Sequence, residues 1–404
     1  MVRFLHTADI QLGMRATDVP AVAAAIREQR FLALERVVGL AKDESVDFIL
    51  IAGDLFEHSQ ISGETAYRAA RILGSAAAIP VYVLPGNHDP LSADSVYHRE
   101  AFGERCPKNL VILEGRESVI LPNCQCVLCP CPVRERRSSF DPTMGWQGRL
   151  PEATVKVGVA HGSLAIEGMH SGDDHPIGLE AAERLGVDYL ALGHWHSYFL
   201  HGTRTAYPGT PEPTTFGEKD SGSACLVSIA APGAPPSIER RRVGQLQWLQ
   251  WEIGLPDQSL DEVRHRVGAL TSPEKTLLRV VLRGTVDTGT VLAFDDLEAW
   301  LRVQGLLYVE LRREVVAAQA LMSALARLAE EDPVLAGVVA DLQKLISLDA
   351  EPSAVVGEAM ATSRPVEELL ALWGAARGED VVDRAAVATE AIAELALLAQ
   401  EVAR

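Results

Sequence analysis

Unbroken apolar runs that end in polar, often glycine-containing loops recur along the first half of the chain. Val2–Leu5 leads towards Asp9, and VDFILIAGD (Val46–Asp54), IPVYVLPGNHD (Ile79–Asp89), VKVGVAHGS (Val155–Ser163) and VDYLALGHWHS (Val187–Ser197) repeat the pattern. A strand covered on both faces reads as a continuous run rather than an alternation. Between the runs, Ala21–Lys42 carries Ile26, Leu34, Val37 and Val38 at helical spacing. The pattern predicts an α/β core over residues 1–220. From Ser223 to Ile253 the signal turns to β, with ACLVSIA and QLQWLQWEI around the proline-rich APGAPP, and residues 275–314 read strand, helix, strand. Beyond Val315 the chain is Ala/Leu-rich and helical, with prolines in EEDPV, DAEPS and TSRPV where helices start. Its last segment aligns Ile392, Leu395, Ala399 and Val402 in one stripe, which suits packing on its own domain or docking another chain. The expected division is 1–253, 254–314 and 315–404.

Bulk numbers narrow the class. With 404 residues the chain is too long for one ordinary core, and 48% hydrophobic with 23% charged residues is the balance of a soluble globular protein. No apolar run approaches the ~20 residues that span a bilayer, and the chain enters a strand directly, so a membrane or secreted protein is not expected. Six cysteines do not make a disulfide scaffold, and a cytoplasmic location is the expectation. The net charge of −18 divides as −6 over residues 1–250 and −12 over 251–404. The acidic C-terminal part is a poor stand-alone binder of a phosphate backbone, so nucleic-acid contact belongs to the first part, to a local patch or to a partner.

The chemistry lies where the runs end. Asp9, Asp54, the triplet Asn87, His88 and Asp89, then His161, His194 and His196 all sit close to the end of an apolar run, where a sheet gathers its site. Singly, each is an ordinary cap, turn former or hydrogen-bonded histidine. Together, carboxylate, amide oxygen and imidazole suit Mn²⁺, Fe²⁺ or Zn²⁺ rather than a thiolate site. One bridging carboxylate can hold two ions ~3.5–4 Å apart.

The order D-x-Q, GD, GNHD, H and GHWH resembles the calcineurin-like metallophosphoesterases. FLHTADIQLG, GDLFE, GNHDP, HGS, LGHWHS and YPGTPEPTTFGE resemble their DNA-repair exonuclease branch, the SbcD-type nuclease subunits, over residues 2–220. The resemblance implies a four-layer α/β/β/α sandwich; the strand–helix–strand segment after it resembles the branch's small α/β capping domain in element order only, and the helical C-terminal tail, read from its own pattern, lies outside the resemblance. It implies one ion on Asp9, Asp54 and His196 and a second on Asp54, Asn87, His161 and His194, with Asp54 as the bridge. His88 would face the phosphate and Asp89 would orient its imidazole. In the family such enzymes usually prefer manganese and cleave phosphodiesters of DNA, so two divalent ions, Mn²⁺ first and Fe²⁺, Zn²⁺ or Mg²⁺ as alternatives, are expected here. Its nuclease subunit dimerises and works with an SMC-like ATPase of SbcC type.

Two positions depart from that pattern. Gln11 stands where a histidine is commoner in the family, and its neutral carbonyl oxygen is a weaker donor, so a looser first site is expected. Glu57 stands where some members place a DNA-contacting histidine, and His58 follows it. Arg134, Arg136 and Arg137, with Phe140 and Trp146 in the same loop, fit a DNA-strand contact. HSGDDHP (His170–Pro176) reads as a loop at the rim of the site. Cys124, Cys126, Cys129 and Cys131 alternate between two strand faces, which favours free thiols over a shared metal. Two other functions stay open on these residues: a small phosphodiester or nucleotide hydrolase on the same core, and a metal-poor scaffold subunit of an ATPase complex.

Overall fold

The apolar runs become the inner strands of two six-stranded sheets. The computed structural model describes residues 1–317, apart from 122, 147, 149, 167–173, 256 and 287–289, together with Gly337 and Ala340. In chain order the elements begin β1 (Val2–Thr7), α1 (Ala23–Asp43), β2 (Phe48–Ala52), α2 (Gly63–Gly74), β3 (Val81–Leu84) and β4 (Leu110–Ile112). There follow β5 (Val119–Leu121), β6 (Cys126–Cys131), β7 (Val155–His161), α3 (Ala181–Leu185) and β8 (Tyr189–Gly193). The sandwich ends with β9 (Tyr198–His201), β10 (Thr205–Pro208), β11 (Ser223–Ile229) and β12 (Ser237–Arg242).

The first sheet runs β12-β11-β1-β2-β3-β4 and the second β5-β6-β7-β8-β10-β9. Strands β1 to β4 are parallel, as are β6, β7 and β8 with β10, while antiparallel strands flank both sets. Alternation along β1 sends Leu5 towards the helices and Phe4 towards the other sheet. Leu34 and Val37 of α1 and Ala69 and Leu73 of α2 bury against Ile49 and Val83. Between the sheets Phe48, Leu50 and Tyr82 meet Leu128, Val157 and Tyr189, and the Phe4 and Phe48 rings stack with centroids 4.7 Å apart. On the far face, Leu190 and Leu192 pack with Ala181, Ala182 and Leu185 of α3. The result is the four-layer α/β/β/α sandwich.

Helix α2 starts where Ser62 caps it, its hydroxyl accepting from Thr65 N at 3.1 Å. The edge strand β12 has no apolar run to announce it: in SIERRR only Ile238 packs against the inter-sheet core, and pairing to β11 (Ser223↔Arg242, Cys225↔Arg240) with ion pairs of its arginines holds the rest. A pattern of hydrophobicity cannot find such a strand.

The chain divides into Met1–Gln250 with Ser272–Arg279 and Leu306–Tyr308, and a second unit of Trp251–Thr271, Val280–Gly305 and the chain from Val309. The later elements are β13 (Gln247–Leu255), α4 (Leu260–Gly268), β14 (Thr276–Val286), α5 (Thr290–Arg302) and β15 (Tyr308–Ala317), with a three-stranded sheet in the order β13-β14-β15. Ser259 caps α4 by accepting from Asp261 N at 3.1 Å, with Asp261 and Glu262 in the first turn, where the helix dipole favours acids. Of the helical region expected from residue 315, β15 takes the first residues. The remainder, including the stripe from Ile392 to Val402, lies outside the described residues. Among the described residues no helix is long and apolar enough to cross a membrane.

The cysteines separate as alternation requires. Cys126 lies in the inter-sheet core, Cys129 and Cys131 on the outer face, and all six thiols are free. Burial pushes the thiols of Cys129, Cys131 and Cys225 up to about 12. A hydrogen bond with Cys124 and burial raise Cys126 further, and the same bond lowers Cys124. Since the thiolate is the reactive form, a disulfide reagent at mildly alkaline pH should label Cys124 first and Cys106 slowly. Cys126, Cys129, Cys131 and Cys225 should react only after unfolding in guanidinium. Mass mapping of the adducts checks this, and rapid native labelling of Cys129 would contradict it.

Candidate metal centre

Five strands deliver the candidate ligands at their C-terminal ends. β1 leads to Asp9, β2 to Asp54, β3 to Asn87, β7 ends in His161, and β8 leads to His194. The turns that aim them are sharp. Asp9 (φ 55°), Gln11 (φ 48°), Asp54 (φ 52°) and His194 (φ 107°) all occupy positive φ, a region that costs side-chain-bearing residues strain. The first two loops run side by side, with Asp9 N donating to Gly53 O at 3.1 Å and Gln11 N to Asp54 O at 2.9 Å. Two glycines leave the room. A Cβ at Gly53 (φ +95°) would lie 2.0 Å from His161 Nδ1, and one at Gly86 would lie 2.2 Å from an Asp54 carboxylate oxygen.

Asp9, Asp54 and His161 offer ligand atoms within 4.8 Å of one another, all from buried side chains. His161 Nε2 lies 3.4 Å from Asp54 Oδ2 and 2.8 Å from Asn87 Oδ1. Asn87 Oδ1 also lies 3.0 Å from His194 Nδ1. On the other side, the amide end of Gln11 reaches 3.1 Å from His196 Nε2. His194 N donates to both carboxylate oxygens of Asp9 at 3.0 Å. The seven residues expected as ligands therefore converge in two adjoining groups. Gln11 is brought to the place its motif position implied, 5% exposed.

Each histidine is held by its other nitrogen, the arrangement that fixes ring orientation and leaves one nitrogen for a metal. His161 Nδ1 donates to Ala52 O at 2.8 Å. His194 Nε2 pairs with Asp174 Oδ2 at 3.1 Å, and His196 Nδ1 with Glu218 Oε1 at 2.7 Å. Thr214 also hydrogen-bonds Glu218. Asp174 and Glu218 were missed as site residues in the sequence. Asp174 lies in HSGDDHP, read as a rim loop whose other part, residues 170–173, falls outside the described residues. Glu218 closes the quoted YPGTPEPTTFGE, yet nothing local in that string marks a histidine partner.

A third missed residue lies beneath the ligand loops. Arg30 is 1% exposed, and its guanidinium donates to Ile10 O (2.7 Å), Glu212 O (3.0 Å), Asp9 O (3.2 Å) and Thr210 Oγ1 (3.1 Å). It ties the loop bearing Asp9 to the loop before Glu218. Its signal was available: Ile26, Arg30 and Leu34 are spaced i, i+4, i+8, which puts a cation on the buried stripe of α1.

Electrostatics test whether cations fit. Asp9 and Asp54 are 0% and 1% exposed, and Arg30 meets the Asp9 carbonyl, not its carboxylate. Burial holds the Asp9 carboxyl above the usual range. Burial opposes ionisation of Asp54 too, but the charge of His161 and its hydrogen bond pull it below that range. His161 responds in turn: burial disfavours its charge, yet Asp54 and Asp9 raise it to about 9. The cluster thus recruits protons to neutralise buried carboxylates, the role a divalent cation fills with oxygen and imidazole donors. The residues present fit that group.

The remaining expected residues divide. His88 is half-buried, and its Nδ1 donates to the Glu57 backbone carbonyl at 2.9 Å, which leaves Nε2 as the available nitrogen. Asp89 does not orient it, contrary to expectation. Its fully buried carboxylate accepts from Gly86 N (2.7 Å), Phe56 N (2.9 Å) and Tyr97 Oη (2.6 Å), so it shapes the GNHD turn and docks it on the core. Glu57, His58 and Arg136 line one cavity of about 430 Å³ together with Gln11 and Arg15. Arg134 is exposed and donates weakly to Glu114 O at 3.4 Å, and Arg137 is exposed. Neither lines that cavity. Trp146 does not serve as an open stacking face. It packs against the outer core and its indole nitrogen is buried without a hydrogen-bond partner, whereas Phe140 is 80% exposed.

Residues 2–198 match the calcineurin-like phosphoesterase family, and this part of the chain is a calcineurin-like metallophosphoesterase domain. Among curated relatives, the DNA double-strand break repair protein Mre11 of Methanopyrus kandleri is 28% identical over 53% of this chain and 50% of its own length. The uncharacterized metallophosphoesterase YhaO of Bacillus subtilis is 25% identical over 70% of this chain and 72% of its own. The SbcD subunit of the nuclease SbcCD, from the same organism, is 24% identical over 57% of this chain and 67% of its own. The chain thus spans half the length of the Methanopyrus protein.

Two measurements follow. Metal and proton compete for His161 Nε2, whose proton is bound below about 9 in the metal-free protein. Manganese affinity should therefore rise with pH and level off above that value, with proton release on binding near neutrality, read by calorimetry in buffers of different ionisation enthalpy. Separately, Asp174→Asn and Glu218→Gln should each weaken metal binding roughly 10–100-fold, with melting temperature in chelator little changed. Unaltered affinity would deny both carboxylates a part in the site.

Proposed function

We propose that the protein is a metal-dependent phosphodiesterase that cleaves DNA during end processing or break repair, in the cytoplasm, with two divalent ions, manganese foremost. The observation that carries this reading is the convergence of Asp9, Asp54, Asn87, His161, His194 and His196 beside a free His88 nitrogen. Asp9, Gln11, Asp54 and His196 would hold one ion, and Asp54, Asn87, His161 and His194 the other. Such a pair, when bound, polarises a phosphoryl oxygen and generates hydroxide from water at neutral pH.

The chain's own residues supply the rest. Asp54 Oδ1 accepts from His88 N at 2.9 Å, which couples the carboxylate that would be shared between the two ions to the His88 backbone. The Glu57 carbonyl fixes the His88 tautomer, and Nε2 then faces a bound phosphodiester to neutralise developing charge or protonate the leaving oxygen. Arg136, His58 and Glu57 line the approach on the Gln11 side.

The relatives named for double-strand break repair and for the SbcCD nuclease support DNA over a small phosphodiester. The motif resemblance to SbcD-type nucleases adds an SMC-like ATPase partner of SbcC type and a homodimer to the reading. A net charge of −18 suits a subunit that gains DNA affinity from that partner. The free cysteines support a reducing compartment.

The test is a manganese titration of DNA cleavage by the full chain. Gln11→His should lower the manganese concentration for half-maximal cleavage by roughly tenfold or more. His88→Ala should lower kcat by roughly 10²–10⁴ with metal binding retained. Hydrolysis of bis-p-nitrophenyl phosphate without cleavage of DNA would move the assignment to a small-phosphodiester hydrolase. Failure to bind two ions in excess manganese would favour a scaffold subunit.

A further inference from the structure

Three cavities surround the loop from Pro213 to Glu218. The first, beside Gln11, is described above. A second, of about 480 Å³, is lined by His194, His196, Trp195, Phe216 and Glu218. A third, of about 440 Å³, also has Glu218 in its lining, together with Arg240, Arg242 and Ser221 among others. Thr215 belongs to the first and second, and Glu218 to the second and third, so the three are consecutive around the loop. Their volumes fall in the ~300–1,000 Å³ range of small-ligand pockets.

The third cavity has no part in the chemistry so far, and its charges are unequal in use. Alternation along β12 puts Arg240 and Arg242 on one face, while Arg241, on the other, pairs with Glu44 at 2.8 Å. Arg240 is committed to Asp220 through its carboxylate at 2.9 Å and its carbonyl at 2.6 Å, and lies 5.1 Å from the Tyr198 ring centroid. Glu218 is committed to His196. Arg242 is exposed, forms no ion pair among the described residues, and donates only to Leu246 O at a long 3.5 Å. The cavity therefore holds one uncompensated guanidinium, which matches a singly charged phosphodiester better than a phosphate dianion.

We infer that this cavity is a subsite for a backbone phosphodiester of the strand whose scissile phosphate lies at the metal centre. The inference rests on the nuclease reading. Arg242 makes the contact, and the intervening nucleoside lodges in the second cavity against Trp195. That ring sits between His194 and His196 in sequence and lines the cavity they line. The Trp195 and Phe216 rings offer a base an apolar surface, the ionisable groups of the same lining are paired with one another (Asp174 with His194, Glu218 with His196), and a guanidinium beyond suits the next phosphate. Glu218 lines both cavities and also holds His196, so the subsite adjoins the centre through one side chain.

Arg242→Glu tests this, since the residue is exposed on an edge strand and outside the catalytic machinery. Binding of a fluorescent oligodeoxynucleotide is measured in chelator, where nothing is cut, over a range of salt. Affinity should fall at least about fivefold and the slope of log K against log salt should shrink by about one. Melting temperature and manganese-dependent hydrolysis of bis-p-nitrophenyl phosphate should be unchanged. Equal oligonucleotide affinity and slope in wild type and variant would overturn the subsite. So would protection of the wild type alone by inorganic phosphate against thermal unfolding, with equal oligonucleotide affinity, which would mark a free-phosphate site. If the wild type hydrolyses no diester in manganese, the nuclease reading fails, a result distinct from either.

Discussion

Two carboxylates buried at the ends of neighbouring parallel strands set the terms for the whole sandwich. Asp9 and Asp54 are shielded from water, and like charges at such depth are costly unless compensated. The compensation reaches outwards in layers. His161 gains a proton, Arg30 braces the loop that bears Asp9, and Glu212 sits buried below with Arg36 at 2.6 Å. The second layer exists because of the first: Ala52, Asp174 and Glu218 each turn one histidine inwards.

The two sheets make this arrangement possible. Asp9, Asp54 and Asn87 follow strands of the first sheet, His161 and His194 strands of the second. Packing of Phe4, Phe48, Tyr82 and Tyr189 between the sheets fixes the separation across which the ligands meet. A cavity cut there, as by replacing a buried aromatic residue with alanine, costs roughly 3–5 kcal/mol and loosens the centre at a distance.

How much of this could be read from the residues alone varies with the physics involved. The buried parallel strands and α1 were legible, because unbroken apolar runs and helical spacing encode burial directly. Six of the seven candidate ligand positions were legible because a sheet presents its site where strands end, and Gln11 entered only through the motif resemblance. Three kinds of feature were not. Strand β12 is held by backbone pairing and carries arginines, so it has no apolar signature. Asp174 and Glu218 act through partners 20 and 22 residues away, distances that no local pattern encodes. Asp89 was given to His88 by the motif resemblance, but the turn points its carboxylate back at Gly86, Phe56 and Tyr97. Trp146 was grouped with the arginines of its loop as a DNA-strand contact, and the outer core claims it instead.

The left-handed backbone at Asp9, Gln11, Asp54 and His194 bears on stability as well as geometry. Each such residue holds a conformation that glycine or asparagine would adopt at lower cost, by roughly 1–3 kcal/mol where the strain is undiluted. Aspartate stands at two of the four positions, glutamine at one and histidine at the other. Backbone strain is thus gathered at the same loop positions that bring the carboxylates and imidazoles together, so the geometry of the centre is set by the sandwich around it and not by the local preference of these residues.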